Sequence, residues 1–378
     1  MISVRQFAKI CLNFIKREAV LCVAVLLAVV SAFFVPPSIS YVSYIDWDTL
    51  ALLFGLMAVM KGFQKAGLFT YLGNQLLKRT ATTKSMMFVL VFLPFVCSMV
   101  ITNDISLITF VPFGLIVLHM ANQKYLAIRL VVLQTVAANL GSMLTPMGNP
   151  QNLYLYNKSG IGFGGMLGLM LPYVLVSALC IVLMIVFGKS ARISQVSVDM
   201  NLRGPKYFIW CTIGFVICLL GLFDVVPPIA VAVVIAAFLL FRDRSLLARV
   251  DYSLLLTFIA FFIFIGNVGS IDTFKNFIAS VLTDHVELVA ILASQVISNV
   301  PAALLLSGFT DNWRELIVGC NIGGLGTLIA SMASLISYKL IVKEYPEKSK
   351  KYFLWFTLCN ILLLVILVSL SCGIKAMS

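Results

Sequence analysis

Apolar residues fill this chain in long unbroken blocks, at 19–35, 48–60, 84–100, 105–120, 125–138, 164–187, 207–222, 225–241, 252–266, 286–297, 316–329 and 352–371. A helix that is apolar on every side belongs in lipid or in a large core. Crossing a bilayer takes roughly 20 residues. Some blocks approach that length, and the shorter ones predict half-crossings or hairpin arms. The pattern predicts an all-α polytopic membrane protein.

Polar sequence breaks the pattern in two matched places. Ile101-Thr102-Asn103-Asp104 and Ile297-Ser298-Asn299-Val300-Pro301 sit between apolar runs, and each precedes a Gly-rich polar stretch opening with Asn, at Asn139–Asn152 and Asn321–Ser334. A polar group left without a partner in hydrocarbon costs several kcal/mol, so such sequence persists there only where it lines a site. Paired interruptions in two halves of a chain point to a secondary transporter.

Charge then orients the pattern. Basic residues collect in the loops, the positive-inside signal, so the net charge of +12 reflects topology rather than nucleic-acid binding. Residues 1–18, with Arg5, Lys9, Lys16 and Arg17, are too polar for a leader and predict a cytoplasmic amphipathic start. The run 19–35 crosses outward, and 48–60 returns to a basic segment from Lys61 to Lys84. Lys84 and Lys124 bracket 84–120, which predicts a re-entrant hairpin entering from the cytoplasm with residues 102–104 at its tip. A broken helix follows at 125–158. The second half predicts a hairpin at 286–309 entering from outside, a broken helix at 316–343, and a last helix that leaves the C-terminus outside. Residues 64–80 and 270–283 read as amphipathic surface helices.

Shifting by 182 positions aligns Asn139 with Asn321, Gly141 with Gly323, Thr145 with Thr327, Leu153 with Leu335 and Tyr156 with Tyr338. Because the two copies start on opposite sides, the expectation is an inverted repeat. Its parts are a first helix within 1–45, repeat 1 at 46–160, linking helices at 161–249 around a linker at 189–206, repeat 2 at 250–345, and a C-terminal helix at 346–378.

Hairpin tips and unwound segments expose carbonyls to cations and half-helix N-termini to anions. Thr102, Asn103 and Asp104 with Thr145, Gly148 and Asn149 predict one cradle; Ser298, Asn299, Gly323, Thr327 and Ser331 predict its mirror, with Val300 completing the second tip. Thr102, Asn103, Asp104 and Asn149, and likewise Ser298 and Asn299, offer the oxygens a Na⁺ ion takes. Asp104 is the one acidic residue expected near the bilayer centre, where its burial costs about 2.5–3.5 kcal/mol; it is a candidate coupling site for Na⁺ or H⁺, or a cap on the outgoing half-helix. Gln151 and Asn152 carry amides suited to an anion or carbonyl. Tyr154 and Tyr156 read as interface anchors, and Pro112, Pro150 and Pro301 as residues that start or end half-helices.

Other chemistries find little support. The nine cysteines include no CxxC pair, the two histidines fall near the ends of runs, and Phe187-Gly-Lys-Ser190 lacks the first glycine of a phosphate loop. Neither a Gly-x-Ser-x-Gly elbow nor a His-Glu-x-x-His pair is present, which weighs against an intramembrane enzyme. No cofactor beyond a coupling ion is expected.

The two tips, Thr145-Pro-Met-Gly-Asn-Pro-Gln-Asn152 and Asn321-Ile-Gly-Gly-Leu-Gly-Thr327 resemble the ion transporter superfamily, which holds the divalent anion/sodium symporters, citrate transporters, arsenite/antimonite permeases and one group of sodium/proton antiporters. The resemblance covers essentially the whole chain. In the symporters both tips resemble Ser-Asn-Thr; here Asp104 and Val300 take the third position, which is closer to the permease and antiporter pattern. The resemblance implies an elevator-type fold, a homodimer in the cell membrane, and a small anionic substrate, a carboxylate or inorganic oxyanion. A Na⁺/H⁺ antiporter or arsenite-type efflux permease on the same fold is the alternative.

Overall fold

The computed structural model describes residues 18–193 and 204–377. The amphipathic start before Glu18 and most of the 189–206 linker lie outside the described residues. Among the described residues the secondary structure is helical, with one isolated bridge between Thr82 and Arg192.

Helix α1 (Ala19–Ala32) leads to α2 (Trp47–Ala66), which Asp46 caps by accepting from the Thr49 amide at 2.9 Å. Gly67 turns the chain by 49° into α3 (Leu68–Leu77), inside the expected surface helix 64–80. Lys61 and Lys65 lie within α2 rather than in a basic segment beyond the crossing at 48–60. The long methylene stems of lysine allow this, since they pack along apolar surface while the ammonium reaches a polar partner.

The first hairpin comprises α4 (Thr83–Cys97) and α5 (Asn103–Met120). Pro112 lies inside α5 and does not end it, contrary to expectation. Next come α6 (Ala127–Gly141), a break over 142–149 with two short 3-10 turns, and α7 (Pro150–Ser159), which Pro150 starts. Three long helices, α8 (Phe163–Val186), α9 (Pro205–Leu222) and α10 (Pro228–Arg242), join this half to the next.

In the second half α11 (Tyr252–Gly269) and α12 (Asp272–Leu282) precede a hairpin of α13 (Val286–Ile297) and α14 (Asn299–Ser307). Then α15 (Trp313–Ile322) breaks over 323–331 and resumes as α16 (Met332–Glu344) before the last helix, α17 (Ser349–Met377). The apolar run 316–329 outlasts its helix because Gly323, Gly324 and Gly326 follow in close order, with Gly326 at φ 106°, a conformation L side chains rarely adopt.

Packing in the two halves corresponds element by element. Helix α4 lies against α6 as α13 lies against α15, and α5 covers α6 as α14 covers α15. Each hairpin's outgoing arm also packs on the broken helix of the other half, α5 on α16 and α14 on α7. Helices α9 and α10 pack on α2, away from the breaks.

Among the described residues six helical segments are long and apolar enough to cross a membrane, and up to eight if each bent pair counts as one span. Their outer faces are apolar: Leu171, Leu175, Leu179 and Leu183 recur every fourth residue along α8, all exposed. In water such a stripe would be a large uncompensated patch. The molecule is a multi-pass membrane protein.

Polar contacts tie the helix ends. Lys65 pairs with Asp243 at 2.6 Å, and the Thr83 amide donates to Ala191 O at 2.9 Å. At other helix ends, Asn267 Nδ2 donates to Ser31 Oγ and Tyr41 Oη, and Lys375 meets Glu287 at 2.9 Å and Glu315 at 3.0 Å.

Candidate functional site

Both broken helices end their first half on an asparagine-glycine segment, and the two asparagines organise the centre. Asn139, in the last turn of α6, accepts from Asn103 Nδ2 at 3.0 Å and from Ser331 Oγ at 3.1 Å, and donates to Ser334 Oγ at 3.2 Å. Asn321, in the last turn of α15, donates to Asn152 Oδ1 at 2.8 Å. The shift of 182 that carries Asn139 to Asn321 also carries Asn152 to Ser334. The bonds Asn139 to Ser334 and Asn321 to Asn152 are therefore one contact made twice, each time from one half of the chain to the other. All four residues are buried, and buried amides that find partners fix their surroundings strongly.

A second contact repeats in the same way. Thr145 Oγ1 in the first break donates to Met99 O, and Thr327 Oγ1 in the second donates to Gln295 O at 3.0 Å. Met99 and Gln295 each stand four positions before their tip asparagine. Each break is thus pinned to the end of its hairpin's first arm. Thr327 also accepts from the Ala330 amide and is exposed, and unlike Ser331 it makes no hydrogen bond to Asn139.

Around the first break, Asn149 Nδ2 donates to Ser142 Oγ at 2.6 Å and Asn152 Nδ2 to Ser142 O at 3.1 Å. Gly148 and Gly323 have a packing role: a Cβ at either would meet backbone oxygen, Ser142 O at 2.2 Å or Gly319 O at 2.7 Å. At the second tip Ser298 Oγ reaches Ala330 O at 3.4 Å, and the Asn299 amide donates to Ala330 O at 3.0 Å. Val300 and Pro301 line a cavity of about 260 Å³ that also touches Glu18, Asp251, Met332 and Lys339.

At the first tip Thr102 precedes α5 without a side-chain capping bond, and Asn103 Oδ1 accepts from the Asp104 amide at 2.9 Å. Asp104 makes no capping contact; its Oδ1 is buried without a hydrogen-bond partner. A carboxylate oxygen in that position is an acceptor awaiting a proton or a cation. Gln151 is fully buried, and neither its Nε2 nor its Oε1 has a partner. Among the described residues no three His, Cys, Asp or Glu side chains converge as a metal site; neutral oxygens and one carboxylate are what the tips offer.

The model of the family described as citrate transporter matches residues 8–311. The chain belongs to the citrate transporter family. A transporter of Methanocaldococcus jannaschii is 34% identical over 297 residues, 78% of this chain and 81% of that protein. The inner membrane protein YbiR of Escherichia coli K12 is 30% identical over 358 residues, 91% and 94% of the two chains. The silicon efflux transporter LSI3 of rice is 35% identical over 133 residues, 35% of this chain and 27% of that one. For a citrate transporter family member the expected chemistry is passage of solute across a membrane.

Three residues of this family member escaped the sequence reasoning. Gln134 Nε2, in mid-α6, donates to Leu90 O at 2.9 Å and Phe110 O at 3.0 Å, one on each arm of the first hairpin. Leu90 O lacks a helical donor because Pro94, four residues on, has no N–H. Gln295 Nε2 donates to Gly323 O and Leu325 O, and its Oε1 accepts from the Thr327 amide at 2.9 Å. Both are amides inside apolar runs, a signal available from sequence. The third is Tyr154, expected as an interface anchor; it is buried and bonds Ser307 on α14 at 2.8 Å.

Proposed function

We propose that this chain is a secondary active transporter that moves a small anion, a carboxylate or inorganic oxyanion, driven by Na⁺ or H⁺. The observation that carries the reading is the reciprocal pair of buried bonds, Asn139 to Ser334 and Asn321 to Asn152, joining two interrupted helices from opposite halves of the chain. Inverted repeats of this kind build transporter sites at the bilayer midplane. The division into repeat 1 at 46–160 and repeat 2 at 250–345 rests on the same contacts.

Membership of the citrate transporter family and a relative named as an inner membrane protein support placement in the cell membrane. Contacts between helix ends support the predicted topology. Thr83 at the start of the first hairpin meets Ala191, and Arg129 donates to Met184 O, which gathers the basic ends on one face. Lys375 meets Glu287 and Glu315 at the base of the second hairpin, as expected for a C-terminus on the opposite face. On this reading both hairpins are re-entrant, and hairpins with broken helices slide as one unit against α2, α9 and α10 in a homodimer.

Purified protein in liposomes tests the reading. Labelled citrate, succinate, sulfate or arsenite should accumulate under an inward Na⁺ or H⁺ gradient. The unpartnered Asp104 Oδ1 favours a second reading, cation/proton antiport. Dye-reported proton movement on adding Na⁺ alone, with no anion uptake, would replace the first reading by the second.

A further inference from the structure

The start of α6, the end of α8 and the start of α17 meet around a groove of about 480 Å³. Its walls include Met184, Phe187, Trp355, Leu358 and Leu362, all but Met184 exposed on the outer surface, and it holds one charged group, the half-buried Arg129. Trp355 and Leu362 stand seven residues apart on α17, about 10 Å along the helix and so about a third of a bilayer's hydrocarbon core. An apolar groove of that length on the lipid-facing side of a membrane protein takes acyl chain. Which lipid it prefers is decided at its charged end.

The last turn of α8 places Arg129. There the Phe187 amide donates to Leu183 O and the Gly188 amide to Ile185 O, which leaves Met184 O, one of the orphan carbonyls of a helix end, without a backbone donor. Arg129 Nη2 supplies one. Among the described residues this is the only hydrogen bond Arg129 makes, so most of the five N–H groups of its guanidinium stay unengaged. Two lysines gather at the same end. Lys351 precedes Trp355 by four residues, one turn nearer the helix start on the same face, and Lys189 follows Phe187 by two; both are exposed. None of the described residues lining the groove is acidic.

Positive charge collected at one end of an apolar groove matches an amphiphile with an anionic head. A lipid without net charge gains nothing from the three cations, and a free anion has no use for the apolar wall. Basic pockets between transmembrane helices hold anionic lipid heads in this way. We propose that this groove is a binding site for an anionic phospholipid, with the phosphate on Arg129, Lys351 beside it, and one acyl chain along Phe187, Trp355, Leu358 and Leu362. Arginine suits the task because its planar fork takes two phosphate oxygens at once. The lipid is thereby seated on α6, the helix whose far end carries Asn139. The inference needs only the protein's place in a membrane and is independent of what solute it moves.

Native mass spectrometry of the detergent-solubilised protein, offered phosphatidylglycerol and phosphatidylcholine in equal amounts, tests the site. The wild type should retain phosphatidylglycerol in preference, and its Tm should rise by several degrees with that lipid and not with phosphatidylcholine. One cation near the surface is worth about fivefold in affinity for anionic lipid, so Arg129→Gln and Lys351→Gln should each cut the preference by that factor or more, whereas Arg129→Lys keeps most of it. Leu358→Trp, which fills the groove and leaves the charges in place, should weaken retention of phosphatidylglycerol as well. Should Arg129→Gln fail to fold once Met184 O loses its donor, the exposed Lys351 and Leu358 positions decide the matter. Equal retention of the two lipids, or a preference that Lys351→Gln and Leu358→Trp leave intact, overturns the proposal. An equal rise in Tm with inorganic phosphate alone also overturns it, in favour of a free ion. A changed subunit number in Leu358→Trp with the lipid count unmoved does the same, and gives the groove to a second copy of the chain.

Discussion

The two hairpin tips solve one problem in different ways. The first turns over five residues, 98–102, and Thr102 keeps ordinary extended backbone at φ −63°, ψ 148°. The second turns on Ser298 alone, at φ 78°, ψ 152°, a region that glycine favours. Strain of this kind costs about 1–3 kcal/mol and persists only where the surroundings over-determine it. The chemistry divides in the opposite sense. The relaxed tip carries the carboxylate of Asp104; the strained one has Val300 in the matching place and presents only neutral groups. Similar packing has thus been given charge in one copy and a forced backbone in the other, which argues for unequal roles in binding.

Several measurements can break or sharpen that contrast. The largest effect should come from Asp104→Asn, which removes the charge and is expected to abolish gradient-driven uptake while leaving extractable, folded protein; wild-type rates would take Asp104 out of the mechanism. Gly141→Ala should follow, because its Cβ would lie 1.9 Å from Phe95 O, and Gly323→Ala should be milder, with its nearest atoms at 2.7 Å. A shift in Tm that ranks the two the other way would mean the first hairpin is the more compliant.

Asn139→Ala and Asn321→Ala each leave buried partners unsatisfied, at about 1–3 kcal/mol per group. Asn139 should be the costlier because it bonds Asn103, Ser331 and Ser334, whereas Asn321 bonds Asn152 and the Ile317 carbonyl. Equal denaturation midpoints would contradict this asymmetry. Ser298→Gly should raise stability by about 1 kcal/mol by relieving the strained tip, and the same change at Thr102 should not. A fall in Tm for Ser298→Gly would show the hydroxyl's contact with Ala330 O to matter more than the backbone.

The smallest effect belongs to a contact far from either tip. Burial raises the proton affinity of Asp243, but hydrogen bonds from Lys65, Ser245 and Tyr207 outweigh it and hold the carboxyl down to about 2 from its ordinary 3.8. A depressed folded-state value stabilises above the unfolded one, so this clamp is intact near neutrality and lost as pH falls from 3.8 towards 2. Asp243→Asn should flatten the acid limb of a Tm-versus-pH curve with no change in coupling.

Much of the architecture was legible because lipid makes polarity conspicuous. Both tips and both breaks could be read from short polar stretches, since nothing else in a chain that is 61% hydrophobic explains them. Lengths were harder. Asn139 and Asn321 are helical although they open the polar stretches, because a helix end needs only its last residues free, and the apolar run at 316–329 overshoots a helix that ends at Ile322. Lys61 reads as the start of a basic segment beyond the crossing because positive charge near a run's end ordinarily marks the cytoplasmic boundary. The partners of each amide were not legible: the shift of 182 sets Asn152 opposite Ser334, but they differ in residue type, and only the folded structure shows each bonding the other half's asparagine.

One side chain sets the mechanical character of the first half. Gln134 grips α4 at the carbonyl that Pro94 leaves free and grips α5 at Phe110 O, from a third helix buried between them. Prying the two arms apart would strip a desolvated carboxamide of both its acceptors at once. Separating the arms is therefore the costly motion here, and α4, α5 and α6 hold together as one packed unit.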